Sequence, residues 1–96
     1  MSRPVEVTLL TQDDCAFCDA ARQILARVSG EYLLHVREVD LATAEGRRLA
    51  DTAGVLFAPG VLLDGEGFSY GRLSERKLRR ALARRASAQD ERLQAR

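Results

Sequence analysis

Tryptophan is absent from this 96-residue chain, cysteine and proline occur twice each, and histidine occurs once. Both cysteines lie in one close motif, Cys15-Ala16-Phe17-Cys18. A bridge enclosing so short a loop restrains the unfolded chain little, which argues against a structural disulfide framework. A structural zinc takes four ligands, and His35 is the only other soft ligand here, so carboxylates or a second chain would have to complete such a site. No apolar run approaches the roughly 20 residues of a membrane span. The start Met1-Ser2-Arg3-Pro4 leads into a strand without a signal-peptide pattern, so the expected location is the cytoplasm, with no membrane partner. Neither sign of charge dominates: fifteen basic residues against fourteen acidic give +1, so no global field steers the chain to nucleic acid. A composition 46% hydrophobic and 30% charged, at this length and without internal repeats, suits one monomeric domain with one modest core.

The dithiol follows an apolar run, Val5 to Leu10, that reads as a buried strand and precedes a stretch, Ala16 to Val28, that reads as a helix. A strand-to-helix junction suits thiol chemistry. The unpaired N–H groups and positive end of a helix stabilise a thiolate over a thiol, by about 0.3 to 2 kcal/mol for the dipole alone. Asp13 and Asp14 oppose that ionisation. Cys15 is the expected attacking sulfur, and Cys18, one turn later, would resolve the mixed disulfide it forms. A metal half-site and an inert pair are the alternatives.

Along the chain, Val5–Leu10 has the β-branched, apolar character of a central strand. In the first helix Ala20, Ile24 and Val28 form one stripe with Ala21 and Leu25 beside it, and Gly30 is the expected C-cap. Tyr32 to Val39, mixed in polarity, reads as an edge strand joined in parallel to the first through a right-handed crossover. A second helix, Ala44 to Ala53, turns Leu49 and Ala53 inward and stops at Gly54. Gly60–Leu63 and Gly67–Tyr70 flank Asp64-Gly65-Glu66 as an antiparallel hairpin. Ser74 then caps a last helix to about Arg85, with Leu78 and Leu82 inward. This assigns residues 1–85 to one domain and 86–96 to a helical extension or disordered tail. The fold class is α/β, βαβαββα, a four-stranded mixed sheet with helices on both faces, which is the thioredoxin-type layout. His35 reads as a surface or half-buried strand residue. Seven basic residues between Arg72 and Arg85, opposed only by Glu75, read as a solvated helix face or as a patch that guides an acidic partner.

Pro59 lies just before the third strand, where a cis Ala58–Pro59 bond would turn the chain sharply. Taken with Cys15-Ala-Phe-Cys18 and the Gly71-Arg72-Leu73-Ser74 turn, it makes residues 5 to 84 resemble the glutaredoxin-like branch of the thioredoxin superfamily. The resemblance implies a nucleophile at Cys15, a resolving Cys18, and a loop at Ala58 and Pro59 that pairs its backbone with a thiol substrate. Phe17 stands where that family has the tyrosine of Cys-Pro-Tyr-Cys, with Ala16 in place of the proline. Gly71 and Ser74 match the loop that holds the glutathione carboxylate. Gln12 replaces a lysine, Phe57-Ala58 replace threonine-valine, and Tyr70-Gly71 with Ser74 replace a glycine pair and aspartate. Arg72 is the candidate cation for a thiol cofactor's carboxylate.

The function expected is thiol-disulfide oxidoreduction, with no bound cofactor. A disulfide-containing protein or small thiol would be the substrate, and glutathione, mycothiol or a reductase system the reductant. A metal or iron-sulfur carrier using the same cysteines, or a redox-silent interaction module, are the other readings.

Overall fold

The computed structural model describes residues 3–94. Seven elements follow in the order β1 (Val5–Thr11), α1 (Ala16–Val28), β2 (Leu34–Asp40), α2 (Ala44–Ala53), β3 (Gly60–Leu63), β4 (Glu66–Tyr70) and α3 (Glu75–Gln94). The strands form one sheet in the order β2-β1-β3-β4, so β1 is central and β2 an edge. β1 runs parallel to β2 and antiparallel to β3, and β4 runs antiparallel to β3.

Alternation along β1 divides the core into two layers. Val5, Val7 and Leu9 pack with Val61 and Leu63 of β3 beneath Ala21, Leu25 and Val28 of α1 and Leu78, Ala81 and Leu82 of α3. Leu10, on the opposite face, packs with Leu62, Val39 and Val55 against Ala50 of α2. Helices therefore cover both faces, as the fold class requires.

Several local expectations are corrected. The buried stripe of α1 is Cys18-Ala21-Leu25-Val28, and Ala20 is exposed, because the dithiol end of the helix turns Cys18 into the sheet. Gly30 does not terminate α1 in a left-handed conformation. Ser29 is the C-cap, and the N–H groups of Gly30 and Glu31 close tight turns onto Arg27 O and Val28 O, so no special backbone is needed. β2 starts at Leu34 rather than Tyr32, since Tyr32 N–H remains bonded to Val28 O. β4 starts at Glu66, paired with Leu63, because Asp64 (φ 51°) and Gly65 (φ 83°) alone make the turn. Two positive φ values give the twist that joins antiparallel strands most tightly. α3 continues past Arg85 to Gln94, and residues 95–96 of the expected extension or tail lie outside the described residues.

α1 and α3 are tied at the surface by Glu75, which accepts from Arg27 and from Arg79, while Arg79 also reaches Glu31. The guanidinium of Arg27, and next that of Arg79, holds the Glu75 carboxyl below its ordinary range. A depressed acid stabilises the fold above its unfolded range and loses that contribution as pH falls through its folded value. Glu75→Gln is therefore expected to lower the melting temperature at neutral pH, with the difference from wild type vanishing in acid. Thermal melts across pH check this, and a difference that persists in acid would assign the effect to packing.

Candidate functional site

Sheet directions bring the chemistry to one end of the molecule. β1 ends at Thr11 and leads to Cys15; β3 begins at the same end because Gly60 pairs with Leu10. β4 finishes there because Tyr70 pairs with Gly60. The dithiol turn, the Ala58–Pro59 loop and the Gly71–Ser74 turn thus emerge side by side. His35 is paired with Glu6 in the register near the start of β1, and its Nδ1 lies 2.8 Å from the Glu6 carboxylate. That is the opposite end of the sheet, so His35 takes no part in the site.

Asp14 adopts φ 51°, a left-handed conformation that a short polar residue tolerates, and turns the chain from strand to helix. Cys15 is extended (φ −117°, ψ 99°) and acts as the N-cap of α1: its Sγ accepts the N–H of Cys18 at 3.1 Å. Its carbonyl accepts from Cys18 and Asp19. A sulfur aimed at free helix N–H groups is stabilised as thiolate, since each N–H bonds an anion better than a neutral thiol.

Cys15 is partly exposed, whereas Cys18 is 1% exposed. The two are joined as a disulfide with their Cα atoms 5.1 Å apart. One sulfur faces outside reagents and the other can reach only its partner. Among the described residues, no group of three or more His, Cys, Asp or Glu side chains converges as a metal site.

The Ala58–Pro59 bond is cis, and both residues are buried. Pro59 O accepts the N–H of Gly71 at 2.8 Å, which ties the proline loop to the β4–α3 turn. Gly71 has φ 78°, and a Cβ there would lie 3.0 Å from the Phe57 ring. The positive φ favours glycine, and an added Cβ would also press on the exposed Phe57 ring. Ser74 caps α3, its Oγ accepting Lys77 N–H at 3.2 Å. Arg72 is exposed beside it. Phe17, in the first turn of α1, is exposed too.

In the sequence Phe57 and Tyr70 stand out only as replacements, and nothing marks Leu56. The structure stacks Phe57 edge-to-face on Tyr70, ring centroids 5.0 Å apart, beside the proline loop. Leu56 and Phe57 remain 75% and 55% exposed. With Phe17 they are among the large apolar side chains left in solvent, and all three lie in segments at the dithiol end of the sheet. The signal available in sequence was the aromatic on each side of the Pro59–Gly71 contact.

Fold and dithiol together define a thioredoxin-fold protein with a redox-type Cys-x-x-Cys site. Solved structures with the same architecture include a mutant thioredoxin from Halobacterium salinarum, at TM-score 0.63 and 23% identity over 83% of this chain and 73% of that one. The thioredoxin-like protein BC3987 matches at TM-score 0.63 and 26% identity, over 77% of this chain and 96% of its own. A family model described as glutaredoxin-like domain (DUF836) matches residues 6–83. An uncharacterized protein of Mycobacterium tuberculosis is 37% identical over 86 residues, 88% of each chain. The chain belongs to this glutaredoxin-like family.

Proposed function

We propose that this protein is a dithiol-disulfide oxidoreductase acting on disulfides of proteins or small thiols. Cys15 thiolate attacks one sulfur of the substrate disulfide, breaking that S–S bond and releasing the other sulfur as thiolate, which takes up a proton. Cys18, deprotonated, then attacks Cys15 Sγ. The substrate's second thiol leaves, the Cys15–Cys18 bond forms, and two electrons have passed from the protein to the substrate. A low-molecular-weight thiol such as glutathione or mycothiol, or a reductase, restores the dithiol. The Ala58–Pro59 backbone and the Gly71–Ser74 turn hold the substrate chain beside Cys15, Phe17 contributes apolar contact, and Arg72 supplies a cation for a carboxylate. A cytoplasmic location is part of this proposal. Among the described residues no helix is long and apolar enough to cross a membrane.

The observation that carries this reading is the asymmetry of the pair, an accessible N-cap sulfur bonded to a buried one. The test is alkylation of the reduced protein, followed by turnover of hydroxyethyl disulfide. Cys15 is expected to react with iodoacetamide below pH 7 while Cys18 is spared, and the unmodified protein to reduce the disulfide catalytically. Equal slow labelling of both cysteines, with no turnover, would reject the proposal.

A further inference from the structure

Between α3 and the edge strand β4 runs an open groove of about 440 Å³, lined by Phe68, Tyr70, Arg72, Lys77, Arg80 and Arg84 among others. It starts at the Gly71–Ser74 turn, which is bonded to the proline loop through Gly71 N–H and Pro59 O. Its near end is therefore contiguous with the dithiol's surroundings. Lys77, Arg80 and Arg84 recur at spacings of three and four residues and so share one face of α3. They span about 10 Å along the helix axis.

Two other cations of this helix are already neutralised: Arg79 pairs with Glu75 and Glu31, and Arg85 pairs with Asp64. Arg76, which does not line the groove, is exposed and outside these pairs. Arg72, Lys77, Arg80 and Arg84 take part in no ion pair among the described residues. Where α3 and β4 meet further along, Glu66 is the acidic side chain present. Four unpaired cations along one groove repel one another, an arrangement that an anionic occupant relieves. β4 is the last strand of the sheet, so its outer edge offers N–H and C=O groups to an extended chain.

We infer that the α3–β4 groove docks an acidic, extended segment of a protein partner, next to the disulfide that this partner presents to Cys15. The inference rests on the oxidoreductase reading and names its substrate class. A small thiol would use only the near end at Arg72, whereas the cation row continues along α3 for a length that matches about three extended residues. Aromatic faces at Phe68 and Tyr70 seat the apolar parts of such a segment.

Two disulfide peptides of equal length, one flanked by glutamates and one by lysines, test this against the wild type and a Lys77→Gln/Arg80→Gln/Arg84→Gln variant. Reduction of the acidic peptide is expected to be about tenfold or more faster at low ionic strength, with the advantage shrinking as salt screens the field. In the variant the ratio of the two rates should fall to near one, with circular dichroism confirming the fold. Fluorescence anisotropy with labelled peptides reads docking without turnover. Binding of the acidic peptide by a protein that reduces nothing would refute the oxidoreductase reading and keep the groove. Equal binding of both peptides, an acidic preference that survives in the variant, or tighter binding of a single-stranded oligonucleotide would overturn the inference.

Discussion

Cys15→Ser is expected to abolish disulfide reduction, and Cys18→Ser to stop the reaction at a stable mixed disulfide on Cys15. The difference follows from where each sulfur sits. Cys15 is the partly exposed N-cap of α1 and accepts a helix N–H, whereas Cys18 is buried under the sheet-facing side of the same helix. A serine hydroxyl in the Cys15 position is not ionised near neutral pH, and loss of the nucleophile costs about a thousandfold or more in rate. Serine at position 18 leaves attack intact but removes the internal thiol that would release the product. Non-reducing mass spectrometry after incubation with a disulfide substrate checks both. An adduct on Cys18 in Cys15→Ser, or wild-type turnover in either variant, would contradict the assigned roles.

Gly46→Ala is expected to destabilise the fold by about 2 to 4 kcal/mol, in the direction opposite to its effect on an isolated helix. Alanine is favoured over glycine in a helix interior by about 1 kcal/mol. Here Gly46 lies in the first turn of α2, buried, with its N–H donated to Thr43 Oγ1 at 3.0 Å. A Cβ at this position would stand 2.1 Å from the Asp40 carbonyl oxygen and 2.8 Å from its carbon. Both are backbone atoms at the end of β2, so relief requires α2 to move off the sheet. Gly54→Ala makes the contrast: its φ of 74° disfavours alanine by about 1 kcal/mol, yet nothing lies within 4 Å of the added methyl. Urea denaturation of the two variants measures the difference. A Gly46→Ala protein as stable as wild type would mean that α2 is not held against β2 as described.

The order of elements was legible because each carries its period in its own residues. Val5 to Leu10 is a largely apolar stretch rich in β-branched residues, Leu78 and Leu82 lie one turn apart, and Ser74 is a cap residue followed by a helical pattern. Register and close approach were not legible in this way. The β3–β4 ladder shifts between Val61 and Leu62, leaving Phe68 between the pairs Leu62–Gly67 and Val61–Ser69. Such a bulge depends on how the strand meets its neighbours, not on its composition. Similarly, Ala20 and Cys18 are both compatible with the apolar side of α1, and only the rotation at which α1 settles on the sheet chose Cys18.

The same division runs through the site. Cys15 and Cys18 were identifiable as a pair because four consecutive residues contain the whole motif, and Pro59 because a proline at a strand start stands out. Phe57 on Tyr70, and the separation of paired from unpaired arginines on α3, join residues far apart in the chain.

What the chain determined by itself was local: which segments become strands or helices, where a dithiol falls, and which family it joins. The tertiary structure alone decided how deeply Cys18 is buried, which glycine is forced by close approach and which cations stay unpaired. Those outcomes depend on distances between segments remote in sequence, and packing sets them only once the layers have met.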